Sequence, residues 1–198
     1  MNANVGMLHP VAAPVSAYTE GTSITYGTGA RIAEAVSASL SWDRSDGRFY
    51  GDDVQLDSDN GINGYTLDFE PTGLTDAARA LLLGEVASSG STSTGEYSVT
   101  ADAAPDVGFG YVRVMRKTGD SGVVTSYEGW WFYKIKFGVS SEETRTKEQT
   151  TEWRTPTLSG TGSGVVLASD GKVVYAVHKT FETKAAAIEW VDGKAGIT

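Results

Sequence analysis

The residues able to do chemistry are few and scattered. Only two histidines occur among the 198 residues, His9 beside Pro10 and His178 in an alternating run, and there is no cysteine. Zinc sites gather Cys, His and carboxylate ligands at short spacings, and neither histidine has a second histidine nearby. Asp57-Ser58-Asp59-Asn60-Gly61 resembles the opening of a calcium loop. Such a loop needs glycine at its sixth position and glutamate at its twelfth, where this chain has Ile62 and Asp68. A solvated turn is the simpler expectation there. No serine stands in a Gly-x-Ser-x-Gly context, since Gly162-Ser163-Gly164 has the wrong spacing. Gly27-Thr28-Gly29 and Gly160-Thr161-Gly162 lack the Lys-Ser/Thr that completes a phosphate loop. Asp52 with Asp53, and Glu142 with Glu143, are adjacent in sequence, so in a strand they point to opposite faces and cannot share a proton-transfer task. No nucleophile, base, metal or cofactor constellation emerges, and an enzyme is not expected. The aromatic run Trp130, Trp131, Phe132, Tyr133 is the remaining candidate: exposed rings would make a sugar platform, and alternation would send half of them into a core.

The elements that carry these residues read mostly as β. Ala35–Trp42 alternates Val36, Ala38, Leu40 and Trp42 against serines, the period of a half-buried strand. Arg48–Glu70 reads as a long acidic hairpin whose tip is Asp57–Gly64 and whose return strand carries Tyr65, Leu67 and Phe69. Thr75 caps a helix that exits at Gly84, and Thr183 caps a second over Lys184–Val191, ending near Gly193. Phe109–Lys117 and Val123–Phe137 form a hairpin around Thr118–Gly122. Leu158–Leu167 and Lys172–Thr180 read as a last strand pair, Met1–Pro10 as a flexible arm, and Val11–Tyr18 as an edge strand because of Pro14. Ser140–Thr155 is polar, with Thr and Glu alternating from Glu148 to Glu152, the pattern of a loop or of a strand solvated on both faces, which would make sense inside an assembly where one face borders a water-filled channel.

Length and 40% hydrophobic content allow one substantial core. Twenty-four glycines and many Thr, Ser and Val favour β structure. Without cysteine, packing and backbone pairing must hold the fold. Up to Gly110 there are four basic and fifteen acidic residues, net −11; from Tyr111 there are twelve basic and ten acidic, net +2. Such asymmetry suits complementary faces on copies of one chain, and the total of −9 argues against a protein that grips DNA through Lys and Arg. No apolar run reaches the ~18 residues of a membrane span. The first basic residue is Arg31 and Pro14 interrupts the first apolar run, so no signal peptide is expected and folding in a cytoplasm is.

One ordered set of segments is distinctive: FYGDD, NGYTLDFEPTGL, a helix ending LLLGE, the hairpin GYVRVMRK to WWFYKIKF, the Thr/Glu-rich segment, and LSGTGSG. In order and character it resembles the major tail (tail tube) proteins of long-tailed phages, especially those infecting Gram-positive bacteria, over Val11–Thr180.

The resemblance implies a single domain, a β-sandwich or partial barrel with one flanking α-helix and a short C-terminal helix. It implies hexameric rings stacked into the hollow tube of the virion tail, through which phage DNA passes without specific binding. Tape measure, tail terminator and distal tail proteins would be the further partners, and assembly would begin in the host cytoplasm without a membrane. Under it, the tip residues Asp57, Asp59, Asn60, Gly61 and Asn63 contact neighbouring subunits or rings. Glu148, Thr150 and Glu152 face the lumen, with Trp153 on the strand's other side. The alternative is a carbohydrate-binding β-sandwich built on Trp130, Trp131 and Tyr133.

Overall fold

Alternation of apolar and polar side chains draws most of the chain into antiparallel strands. The computed structural model describes residues 2–51, 54–59, 61–89, 96–119, 122–141, 155–168 and 170–197. In chain order the elements are β1 (Asn2–Thr19), β2 (Ser23–Tyr26), β3 (Ala30–Arg31), β4 (Ala35–Arg44), β5 (Gly47–Gly51), β6 (Val54–Asp59), β7 (Ile62–Pro71), α1 (Asp76–Leu83), β8 (Val86–Ser89), β9 (Glu96–Ser98), β10 (Val107–Gly119), β11 (Gly122–Ser141), β12 (Thr157–Gly162), β13 (Val165–Val166), β14 (Val173–Val174), β15 (Ala176–Phe181) and α2 (Lys184–Ala195). The fold is mainly β with two helices. The main sheet runs β2-β1-β10-β11-β12-β7-β4, with β3 on β1 and β15 on β11.

This sheet is open but strongly curled. β7 and β10 are three strand spacings apart, about 14 Å in a flat sheet, yet the Phe69 and Phe109 ring centroids lie 5.2 Å apart. β1 and β4, far apart along the path, also come into contact. The concave side holds the larger core: Tyr65, Leu67 and Phe69 of β7, Phe109 and Tyr111 of β10, and Phe132, Ile135 and Phe137 of β11, with Ala78 and Leu82 of α1 packed among them. The convex side is covered over one half only, where Ala187, Val191 and Ala195 of α2 meet Val11, Ala13, Val112 and Trp131. These α2 residues recur every fourth position, one stripe of a helix.

Both helices follow their local signals. Thr75 accepts from the Ala78 amide and Thr183 from the Ala186 amide, while Gly84 and Gly196 close the C-termini at φ 74° and 66°, left-handed values that glycine adopts without a Cβ penalty. Gly193 does not end α2, which continues to Ala195.

Several expectations are corrected. Residues 2–10 are the first half of β1, laddered from Asn2 on Lys117 to Leu8 on Val112. Nor is Val11–Tyr18 an edge: β10 lies on one side, β2 and β3 on the other. Two prolines fit because Pro10 falls in a bulge and Pro14 at the end of the β10 ladder, where a missing N–H costs least. The long hairpin is β4 with β7, continued outward by the ribbon β5–β6, so Asp57–Asp59 lie on a paired strand and Ile62–Gly64 belong to β7 rather than to a turn. The last strand pair survives only as the two-residue ladder of β13 with β14; the rest of it pairs elsewhere, β12 between β11 and β7 and β15 on β11.

Candidate functional site

The sequence candidates separate in space. Asp57 pairs with Phe49 and Asp59 with Gly47 inside the ribbon, so both lie on a strand and not at a turn. Gly61 is exposed, and its carbonyl accepts from the Ser45 amide at 2.8 Å. Asn63 is exposed at the bulge between the Asp43–Gly64 and Arg44–Ile62 pairs. Asn60, Glu148, Thr150, Glu152 and Trp153 lie outside the described residues.

The aromatic run does not form one platform. A bulge in β11 sets two of its residues, Tyr133 and Lys134, against the single Gly108 of β10 between the Phe109–Phe132 and Val107–Ile135 pairs. Trp130 and Phe132 therefore face the concave core before the bulge, and Ile135 and Phe137 face it after. Trp131 is fully buried beneath α2. Trp130 is flanked from β10 by the Arg113 guanidinium, 4.5 Å from its ring centroid, and from β15 by the His178 ring at 4.7 Å, nearly parallel. Its indole N–H donates to Glu128 at 2.7 Å, and Glu128 also meets His178 Nδ1 at 3.2 Å. This side chain is enclosed by its neighbours rather than offered as a flat face.

The bulge leaves two carbonyls to be satisfied, and tyrosines reach them from opposite sides. Tyr26 donates to the Tyr133 carbonyl at 2.9 Å and Tyr65 to the Lys134 carbonyl at 3.1 Å. Burial pushes both phenols well above their ordinary range, and Tyr111 and Tyr133 are raised for the same reason. The Tyr26 and Tyr65 hydroxyls thus stay protonated and hold backbone in place, while the Tyr111 hydroxyl accepts from the Arg113 guanidinium at 3.0 Å.

The convex face that α2 leaves open is chemically uniform. Inward-facing Ala38, Leu40 and Trp42 of β4, Tyr65, Leu67 and Phe69 of β7, and Leu158 of β12 belong to or pack on the core. The alternate residues therefore face out. They form cross-strand rows Ser39–Asp68–Ser159 and Ser41–Thr66–Thr161, with Ser37 beside Glu70. Ser159 donates to Asp68 at 2.6 Å, Ser37 donates to Glu70 at 3.1 Å, and Thr155 also donates to Glu70. These rows hold hydroxyls and carboxylates; the exposed Arg44 lies at the end of β4, and Lys136 of β11 stands next to the rows, opposite Thr161 and 3.8 Å from Asp106. Among the described residues no helix or strand covers this face. No sequence signal marked it as a site, although the Ser37, Ser39, Ser41 alternation was visible.

The chain matches no known family model and no curated protein. Its function must therefore be argued from the geometry. Among the described residues no three His, Asp or Glu side chains converge on a point that would hold a metal ion, and no helix is long and apolar enough to cross a membrane. The arrangement offers short hydroxyls and carboxylates already engaged with one another, a surface that binds water well and repels phosphate.

Proposed function

We propose that this chain is the tail tube subunit of a long-tailed phage, forming hexameric rings that stack into the hollow conduit through which DNA leaves the virion. The observation that carries this is the open convex face of β4, β7 and β12. A half-sheet that buries one side in a core and turns the rows of Ser37, Ser39, Ser41, Thr66, Asp68, Glu70, Ser159 and Thr161 outward suits the wall of a water-filled channel. Its acidic groups repel a phosphate backbone, and its short side chains leave nothing for bases to stack on. Ser39, Ser41, Thr66, Asp68, Ser159 and Thr161 are then lumen-facing positions; the sequence also proposes Glu148, Thr150 and Glu152 for the lumen, outside the described residues. The β5–β6 ribbon, which pairs only with itself among the described strands, reaches to a neighbouring copy through Asp57, Asp59, Asn60, Gly61 and Asn63. Tape measure, terminator and distal tail proteins would meet the tube at its core and ends.

Negative-stain microscopy of the purified chain at high concentration tests this directly. Rings with a central hole, or tubes, are expected; a monodisperse monomer at every concentration would overturn the proposal.

A further inference from the structure

We propose that His9 and Asp192 form a latch that makes the start of β1 and the end of α2 a single conformational unit. His9 is the only described non-glycine residue with positive φ, at 55°. It precedes Pro10, which sterically disfavours helical conformations of either hand at that position. It also lies in the bulge between the Leu8–Val112 and Val11–Gly110 pairs, out of the β10 ladder. Left to its local preferences, the backbone would not turn here in this way. A contact to α2 holds it: the imidazole Nε2 meets Asp192 Oδ1 at 2.7 Å, with both side chains mostly buried.

The contact lies where other ties converge. The Asp192 carbonyl accepts from the Ile197 amide and from the capping N–H of Gly196. One helical turn on, the Ala195 carbonyl accepts from Gly29 at 3.0 Å, and Pro10 accepts from Ile32 at 3.1 Å. Leu8, just before the kink, packs into the convex cluster beneath α2, while Met7 packs into the concave one. Strained backbone on one side and a side-chain bond on the other make two opposed contributions at one joint, the condition for an element with two arrangements. Closed, residues 2–8 lie on β10 and α2 is seated. Opened, His9 relaxes, and the N-terminal segment and the last turn of α2 loosen together. This inference does not depend on the tube assignment.

Hydrogen exchange on the full chain tests it. Asp192→Ala removes the bond and keeps the strain: amides of residues 3–8 and of Gly29 are expected to exchange about tenfold faster, while Leu67 and Gly160 are unchanged. Asp192→Ala with His9→Gly removes both bond and strain, and most of the protection of residues 3–8 is expected to return. Unchanged exchange at residues 3–8 in the single variant, an equal rise at Leu67 and Gly160, or a double variant as fast as the single one would each overturn the latch.

Discussion

The hydroxyl of Tyr65 on β7 donates to the main-chain carbonyl of Lys134 on β11 at 3.1 Å, across the concave side of the sheet. Tyr26 makes the matching bond to the preceding carbonyl, Tyr133, from the convex side. Together they satisfy the bulge that lets β11 switch which of its residues face the core. The Lys134 carbonyl also accepts from the Ser163 amide at 3.1 Å, whereas Tyr26 is also the acceptor for the Trp131 indole N–H at 3.2 Å.

The two tyrosines therefore differ in cost. Tyr65→Phe leaves the Lys134 carbonyl one partner and should destabilise by about 1 kcal/mol, while Tyr26→Phe strands both a carbonyl and a buried indole N–H and should cost about 2–3 kcal/mol. Urea denaturation of the two variants gives the comparison; an equal or reversed order would show that the bulge is held by other groups.

Alkaline stability follows from the same residues. Tyr26, Tyr65, Tyr111 and Tyr133 hold their protons more tightly folded than unfolded because burial disfavours the phenolate. A raised folded value means that stability is fully present below the unfolded tyrosine value of about 10 and is lost as pH climbs above it. Ultraviolet titration of tyrosine ionisation should coincide with loss of near-ultraviolet dichroism, and replacing Tyr26 and Tyr65 by Phe should reduce the pH dependence.

Seating of α2 depends on glycine. A Cβ at Gly110 would stand 2.6 Å from Trp131 and 2.9 Å from Val191, and one at Gly129 would stand 2.7 Å from Trp190. Gly110→Ala and Gly129→Ala should each cost about 1–3 kcal/mol by overpacking. Gly138→Ala meets nothing within 4 Å and should change stability by less than about 0.5 kcal/mol. Thermal unfolding of the three variants separates close approach from a general effect of losing glycine.

The open face predicts a gain of unwanted binding. Thr66→Lys with Asp68→Lys places cations in cross-strand rows that hold hydroxyls and a carboxylate. Tubes of this variant should retain short double-stranded DNA in a salt-dependent manner, and wild-type tubes should not. Equal retention by both would remove this face from the lumen.

Excising the ribbon separates folding from assembly. Replacing Gly47–Asp59 by a short Gly-Ser connection removes β5 and β6, which among the described strands pair only with each other. Thermal unfolding should stay close to that of the parent chain while tube growth stops in electron micrographs. Normal tubes would show that the ribbon has no role between copies.

What the sequence determined by itself was local. Both helix starts were legible because a threonine hydroxyl finds an amide three residues on, and α1 ended where Gly84 allowed a left-handed turn. The β10–β11 hairpin was legible because its register runs unbroken from the Phe109–Phe132 pair to the Gly119–Gly122 pair. The mainly β class followed from the same alternation.

Tertiary structure decided everything that depends on distant partners. Residues 2–10 read as a free arm because their ladder partners, Val112 to Lys117, lie more than a hundred positions away. The turn of the long hairpin was misplaced because Asp, Ser and Asn favour turns only until cross-strand pairing overrides them, as it does for Asp57 and Asp59. The change of face along β11 was hidden because a bulge is set by register with β10, not by composition. His9 and Asp192, 183 positions apart, carried no mutual signal, and the open face of β4, β7 and β12 existed only once the curl of the sheet decided which side was core. Periodicity reports which residues share a face; only packing reports what that face meets.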